Sequence, residues 1–311
     1  MSSTKHADLH IDAALTSYAQ EYASQRPNLI ASLIAPEVPV AKQSDTYWIH
    51  DGSNFELVQT GRAPGAQYGE VKWAKSTDTY FANGHGLKAI VPDEDMKNAD
   101  PAVDPARDAI AVPVDQMLLA YEYEVAALAF STAAFTQTSA LAAADRWDAD
   151  TSDPVDAVDD AKATVRGAIG REPNTLVIGY DVFRALQKHA GVRKIVFGLN
   201  APEAIPTEAQ IAQALGVDRL LVGRAVYQSA ANTFTNIWGK FASIAYIDPS
   251  PGSKAITPLK TFAWTGESPR FATRGPVWDD DTSSWKWYVD DYRDVKKTSL
   301  YAAYLYSTVV S

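Results

Sequence analysis

The chain of 311 residues contains no cysteine. This absence excludes disulfides, thiolate nucleophiles and thiolate metal sites together, and it is typical of proteins made in a reducing cytoplasm. Long hydrophobic runs are missing as well, because no stretch approaches the roughly 18 apolar residues that a membrane helix needs. The first twenty residues lack the basic segment and continuous apolar run of a signal peptide. We therefore expect synthesis in the cytoplasm and no membrane partner.

Basic residues are in short supply. Lysine and arginine number 28 against 38 aspartate and glutamate, which gives a formal net charge of −10. Proteins that grip nucleic acid usually cluster lysine and arginine on one face, so this balance argues against a conventional nucleic-acid binder. It leaves open a protein that encloses nucleic acid without gripping it. Hydrophobic residues make up 46% of the chain, enough for a buried core, and the length predicts two joined domains or one domain with large excursions.

Motifs for catalysis are also missing: we find no GxSxG elbow, no phosphate-binding glycine loop and no dinucleotide fingerprint. The candidates for metal binding are weak. His6 and His10 stand four apart on a predicted helix, but a third ligand is lacking. The acidic runs 93–95 and 279–281 lack the alternating spacing of a calcium loop, so a solvated charged segment explains each of them better. We therefore predict no catalytic residue, no cofactor and no metal.

The first third of the chain predicts an arm followed by a hairpin. Residues 7–35 repeat apolar side chains at helical spacing, which predicts an amphipathic arm. A predicted strand at 47–49 precedes the polar, glycine-rich stretch 50–75, and alternating strand-like sequence follows with a predicted turn at Asn83-Gly84. Two extended segments around a long polar loop predict a hairpin that projects from the body. Loops of this length in compact domains are usually functional or bound to a partner.

Aspartate followed by proline marks the two clearest helix starts, since aspartate can cap a helix and proline suits its first position. The helix from Asp104-Pro105 keeps apolar side chains at three-and-four spacing to about residue 135, and Pro113 should kink it or move its start downstream. The second helix runs from Asp153-Pro154 to Gly170. Beyond it, the patterns predict in turn a strand at 175–178, a helix capped by Asp181, a helix after Thr207, strands at 219–227 and 241–247, and a β-rich tail from Phe262.

Several stretches of this sequence resemble the major capsid proteins of tailed bacteriophages. They are TGRAPGAQYGEVKW, LKAIVPDEDMKNADPAVDPARDA, GREPNTLVIGYDVFRAL, LGVDRLLVGRAVY and WGKFASIAYI. The predicted order of elements is similar to that of the family over nearly the whole chain. The resemblance implies an α+β fold of the Hong Kong 97-like capsid type, the Johnson fold. Its parts are an N-terminal arm, an extended β-hairpin loop, a peripheral domain with a long spine helix, and an axial α/β domain.

The resemblance also implies domain boundaries. The arm would cover 1–45 and the extended loop 46–90, and the axial domain would cover 175–265. The peripheral domain would combine 91–174 with 266–311 and contain the spine helix at 104–135. Contacts between copies are then expected on the arm and the loop, and the candidates are Tyr18, Tyr22, Arg62, Pro64, Trp73 and Tyr80.

The function that the resemblance implies is that of a coat protein. Its copies would self-assemble, as pentamers and hexamers, into the icosahedral head shell of a phage. The shell would enclose double-stranded DNA without sequence-specific binding, and portal, scaffold and decoration proteins would be partners. Such a protein would not be an enzyme and would be found in the virion capsid, after assembly in the host cytoplasm.

Two alternatives remain open from the sequence. The first is an encapsulin-like nanocompartment shell, which shares the fold but encloses a cargo enzyme. The second is a soluble α/β carbohydrate-active enzyme, in which tryptophans stack on sugars and a pair of carboxylates flanks the pocket. Particle size separates the two classes, because an enzyme of this kind would form only small oligomers.

Overall fold

The computed structural model describes residues 10–26, 28–49, 60–68, 76–100, 104–198, 204–248, 252, 255–266 and 268–311. Within these ranges the α-helices are α1 Ala13–Ser24, α2 Ala31–Ile34, α3 Asp93–Asn98, α4 Pro105–Ala129, α5 Pro154–Ile169, α6 Tyr180–Lys188, α7 Ala190–Phe197 and α8 Glu208–Ala214. The strands are β1 Glu37–Val40, β2 Ser44–Ile49, β3 Ser76–Phe81, β4 Asn83–Pro92, β5 Gln137–Ala140, β6 Thr175–Gly179, β7 Arg219–Gly223, β8 Val226–Ala230, β9 Thr233–Asn236, β10 Ala242–Ala245, β11 Leu259–Trp264, β12 Ala272–Asp279, β13 Ser284–Lys297 and β14 Ala303–Ser307.

The first sheet is built around β13. β4 runs antiparallel along one edge of this strand, from Asn83 opposite Arg293 to Pro92 opposite Ser284. The other edge is divided, because β12 pairs with the first half of β13 and β11 pairs with the second half. β1 extends the sheet parallel to β11. Trp287 of β13 is buried in one core cluster with side chains of α1 and α4, so these helices cover one face of the sheet.

The second sheet has the strand order β5-β14-β10-β6-β7 and lies between two helical layers. Side chains of successive residues in a strand point to opposite faces. Leu176 and Ile178 of β6 are buried in a cluster with α5, α6, α7 and α8, whereas Val177 is buried in a cluster with α4. Alternating strands and helices in this region were predicted, and the chain has a mixed α+β fold.

The long helix α4 joins the two sheets. Asp104 caps it, Pro105 occupies its first position, and it runs unbroken through Pro113 to Ala129. The prediction that Pro113 moves the start downstream is wrong: the side chain lies on the buried face, where packing outweighs one lost backbone hydrogen bond. The helix ends at Ala129, six residues before the predicted 135, and the ring of the next residue, Phe130, lies 5.4 Å from the ring of Trp238.

Locally coded boundaries are confirmed. The carboxylate of Asp153 accepts hydrogen bonds from the first turn of α5, and Gly170 ends that helix in the left-handed conformation with φ of 65°. The predicted strand at 175–178 is β6. Thr207 and Gln210 form a reciprocal capping box at the start of α8.

Two turn and cap predictions are wrong. Asn83-Gly84 is not a turn but the beginning of β4, and Gly84 serves the close approach of Tyr292, whose ring would lie 2.9 Å from an added Cβ atom. Asp181 does not cap α6, which begins one residue earlier at Tyr180. The Asp181 carboxylate instead accepts a hydrogen bond from the Asn236 side chain at 3.2 Å.

The remaining strands differ from prediction in detail. The single strand expected at 219–227 is two strands, β7 and β8, and β8 pairs with β9 as a separate hairpin. The second sheet takes β5 and β14 from outside the range 175–265, and the expected domain boundaries stay a prediction. Among the helices of the described residues, none combines the length and the hydropathy that crossing a bilayer requires.

Candidate assembly site

The part of the predicted arm at residues 12–26 and 28–40 lies against α4 and is held there first by its helix α1. The hydroxyl of Tyr22 donates to the Asp115 carboxylate of α4 at 2.8 Å, and Arg26 forms an ion pair of 2.8 Å with the same carboxylate. The guanidinium of Arg26 also lies 4.2 Å from the centre of the Tyr22 ring. Tyr18 and Tyr22 are neighbours with ring centroids 6.0 Å apart. Both arm candidates are therefore half-buried in a contact within the chain.

A buried carboxylate on α4 fixes the next part of the arm. Glu122 accepts hydrogen bonds from the backbone N–H groups of Ile30 and Ala31, each at 2.9 Å, and from the indole N–H of Trp238 at 2.7 Å. Burial raises the pKa of Glu122 above its usual value, although the three donors act in the opposite direction. No pattern in the sequence indicates this role, because Glu122 resembles the other charged residues of the same helix.

A buried charge network holds the end of the arm. Arg270, before β12, pairs with Glu37 of the arm and with Asp291 of β13. Asp291 also accepts from Arg293 at 2.9 Å, and Arg293 reaches Glu124 of α4 at 3.5 Å. Burial alone would lower the pKa of Arg270, but Asp291 and Glu37 raise it above its ordinary value, so the group stays charged. The network joins the arm, α4 and the first sheet.

The predicted hairpin begins with β2 and β3, which pair antiparallel from Ser44 opposite Phe81 to Ile49 opposite Ser76. This confirms the base of the hairpin. Tyr80 is buried there, and its ring stacks on Phe262 of β11 at a centroid distance of 4.6 Å. As a candidate for contact between copies, Tyr80 thus lies inside its own chain at the point where the hairpin joins the first sheet.

Residues 60–68, between the two strands of the hairpin, are exposed throughout. The Arg62 guanidinium lies 4.2 Å from the centre of the Tyr68 ring and donates to the carbonyl of Ala66 at 2.8 Å. Pro64 occupies the turn in this stretch, and Trp73 lies outside the described residues. Tyr68 is 82% exposed and was missed as a candidate, although an isolated aromatic residue in a polar, glycine-rich stretch was a usable signal.

A further exposed apolar surface lies along β4. Its edge away from β13 has no strand partner among the described residues. Leu87 and Ile90 of this strand and Val112 of α4 are exposed, and they line a groove of about 410 Å³ between the strand and the helix. Unpaired strand edges and exposed apolar side chains are places where another chain can bind. Sequence reasoning missed this surface, because it assigned these residues to a projecting hairpin and not to the edge of a sheet beside α4.

The cavity beside Glu37 and Glu122 offers no catalytic arrangement. It has a volume of about 450 Å³, lies between the arm and α4, and includes two carboxylates, Glu37 and Glu122, in its lining. Glu37 pairs with Arg270, and Glu122 is occupied by three donors, so both carboxylates are committed to holding the arm. In the described part of the chain, no group of three or more histidine, aspartate or glutamate side chains is placed to hold a metal ion.

Comparison with known proteins finds similarity to phage major capsid proteins. A family model described as phage major capsid protein E matches residues 129–240. The major capsid protein of Pseudomonas phage JBD67 is 28% identical over 269 residues, which are 84% of each chain, and that of Burkholderia phage BcepMu is 29% identical over 256 residues, 80% of each chain. The chain is thus similar to coat proteins along most of its length.

Solved structures share the fold. A phage-related protein from Bordetella bronchiseptica RB50 superposes with a TM-score of 0.79 at 25% identity, over 97% of this chain and 98% of that one. The capsid of the cyanophage P-SCSP1u gives a TM-score of 0.58 at 11% identity, over 88% and 86% of the two chains. An encapsulin complex from Synechococcus elongatus gives 0.52 at 11% identity, over 91% and 88%. The last two likenesses show the fold alone.

Proposed function

We propose that this chain is a member of the phage major capsid protein family and that its copies close into an icosahedral head shell of pentamers and hexamers around double-stranded DNA. It is a capsid shell protein of the virion and not an enzyme. The observation that carries the proposal is the match to two major capsid proteins over at least 80% of each chain.

The order of elements supports the finer proposal of a Hong Kong 97-like fold. An arm lies on α4, the β2–β3 hairpin follows it, and α4 then leads into the α/β layers of the second sheet. The chain then returns through β11, β12 and β13 to the first sheet and adds β14 to the second sheet. In this proposal α4 is the spine helix, the second sheet belongs to the axial domain, and the first sheet belongs to the peripheral domain.

We propose the exposed stretch 60–68 as a contact between copies. A projecting hairpin leaves its polar backbone and Tyr68 uncovered in an isolated chain, whereas obligate interfaces of about 2,000 Å² or more would cover them. Arg62 and Pro64 lie in this stretch, and Trp73 follows it in sequence. Tyr18, Tyr22 and Tyr80 already have partners within the chain, so a role in contacts between copies would add to those contacts.

The charge of the chain fits a container for DNA. A formal net charge of −10 per copy repels phosphate, and this repulsion would let packaged DNA slide along the inner wall. Portal, scaffold and decoration proteins are partners that the family resemblance implies, and they are part of this proposal. An encapsulin-like shell is the second candidate. The shared fold supports both, but the relatives along the sequence are phage coat proteins.

The test is assembly of the purified protein. We expect size-exclusion chromatography and electron microscopy to show large closed particles. Arg62→Glu combined with Tyr68→Ser should leave the subunit folded but reduce the particle fraction, because the changes remove exposed contact groups. The control is Arg166→Glu, which reverses an exposed charge on α5. A wild-type protein that stays a small oligomer under all assembly conditions would contradict the proposed function.

A further inference from the structure

Glu122 joins three parts of the chain that are far apart in sequence. It belongs to α4, is fully buried, and binds the arm through Ile30 and Ala31 and the segment before β10 through Trp238. All of its donors are neutral, being two backbone amides and an indole. The junction therefore depends on the position of the donors relative to a single carboxylate.

The residue type at this junction is strictly constrained. An ionised carboxylate only accepts hydrogen bonds, so it can satisfy three converging donors. Hydrogen bonds to a charged acceptor are roughly twice as strong as neutral ones. A glutamine would turn an NH₂ group toward at least one of the N–H groups and leave that donor unsatisfied in the core. Because Glu122 is fully buried, water cannot replace the lost acceptor.

Trp238 carries the junction into the second sheet. Its ring lies against Gly223, the last residue of β7, so closely that an added Cβ atom there would be 2.1 Å from the ring. Gly179, the last residue of β6, faces the carbonyl of Gly239 in the same way, at 1.8 Å from an added Cβ. Trp238 and Gly239 thus pack directly against the ends of two parallel strands. They can move only if those strand ends move with them.

On its other side the junction sets the path of the arm. Beyond Ile30 and Ala31, the side chains of Ile34 and Ala35 are buried in the same core cluster as Trp238 and as Val177 of the second sheet. The hydroxyl of Tyr121, the residue before Glu122, donates to the Ala35 carbonyl at 3.3 Å. Moving residues 30–35 would therefore disturb the packing beneath the second sheet as well as the hydrogen bonds of Glu122.

We propose that Glu122 is a positioning residue that couples the placement of the arm to the strand ends of the second sheet. The coupling path runs from Ile30 and Ala31 through the carboxylate and the Trp238 indole to Gly223 and Gly179. This inference rests on the proposed function, because copies of one chain in a shell occupy several environments and must adjust together. A copy whose arm is displaced by a neighbour would transmit that change to its second sheet.

The test is hydrogen–deuterium exchange on the unassembled protein, with Glu122→Gln as the perturbation. Amides of the arm peptide 28–36 should exchange about tenfold to hundredfold faster, the range expected when a hydrogen bond to a charged acceptor is lost. The distant peptides 175–188 and 219–224 should also exchange faster, which a purely local role in the arm would not cause. Asp108→Asn is the matched control, since it removes an exposed carboxylate from the same helix and should change neither region.

Trp238→Phe perturbs the path from the other side, because it removes the indole N–H donor together with part of the ring that lies against Gly223. It should speed exchange in the arm peptide and in both distant peptides, and it decides the question if Glu122→Gln does not fold. Faster exchange in the arm alone for Glu122→Gln, or in the distant peptides alone for Trp238→Phe, would overturn the coupling while leaving the proposed function intact. If a folded variant still assembles, a broader distribution of particle diameters than that of the wild type supports the coupling. Failure of the wild type itself to assemble would instead refute the proposed function.

Discussion

Asp291 is the acid shared by two buried arginines, and replacing it with asparagine should weaken the fold sharply. Asp291 is fully buried, Arg293 is 1% exposed, and both lie on β13 opposite α4. Arg270 binds the same carboxylate from the loop before β12. Asparagine keeps the shape and one acceptor but removes the charge, so two guanidinium groups remain in the core with less compensation.

The size of the effect follows from the remaining partners. Breaking a buried ion pair by removing one member costs about 3–5 kcal/mol. Arg270 keeps Glu37 and Arg293 keeps Glu124, so we expect a value near the lower end, about 3 kcal/mol. For 311 residues the entropy of unfolding is about 0.65 kcal/mol/K, from about 2.1 cal/mol/K per residue. The melting temperature should then fall by about 5 °C.

The assay is thermal and urea unfolding of the unassembled protein, followed by circular dichroism. Asp279→Asn is the control, because Asp279 is the last residue of β12 and pairs with Lys286 near the surface. We expect a clearly smaller shift for this variant, since exposed ion pairs contribute little. Equal stability of Asp291→Asn and wild type would refute the reasoning, since it would mean that the two arginines do not depend on the shared charge.

Three further predictions concern single residues. The stability of wild type relative to Glu122→Gln should fall as pH rises from 4.5, the ordinary pKa, through the raised pKa of buried Glu122, because the folded state holds this proton more tightly. Urea titrations at several pH values measure this difference in unfolding free energy, and a difference that does not change with pH would contradict the prediction. Burial lowers the pKa of Lys260 to about 8, so wild type should gain stability relative to Lys260→Met between pH 8 and 10.5, where only the unfolded state keeps the proton; no gain in urea midpoints over this range would count against it. Gly223→Ala should destabilise the protein by about 1–3 kcal/mol through overlap with Trp238, whereas Gly167→Ala, at an open position inside α5, should stabilise it by about 0.5–1 kcal/mol. Urea unfolding measures both changes in unfolding free energy, and changes of the same sign would refute this contrast.

Local signals in the sequence were reliable where one residue decides the structure by itself. Asp153 and Gly170 marked both ends of α5, and Thr207 marked the start of α8, because capping and left-handed backbone depend on neighbours in sequence. The turn expected at Asn83-Gly84 was wrong because a distant residue, and not the local sequence, determines the structure there. Glycine there provides room for Tyr292, a residue more than two hundred positions away.

The candidate contact residues show the same division. Arg62 and Pro64 lie on the exposed stretch that the polar, glycine-rich pattern indicated. Tyr80 was chosen from the same region, but it is buried on Phe262, since the base of the hairpin meets a strand from the far end of the chain. Exposure of an aromatic residue is decided by what packs on it, and pattern alone does not reveal that.

The sequence by itself determined the lengths of several helices and strands and the presence of an arm and a hairpin, because these depend on periodicity and capping, and its resemblance to phage coat proteins indicated the class of protein. Only the tertiary structure decided which charges are buried together. Glu122, Asp291 and Arg293 look like ordinary charged residues along the chain, yet all three lie in the core, and Glu122 and Arg293 each have a partner more than a hundred residues distant in sequence. Their energetic importance arises from burial and from convergent donors, and both exist only after distant segments have packed together.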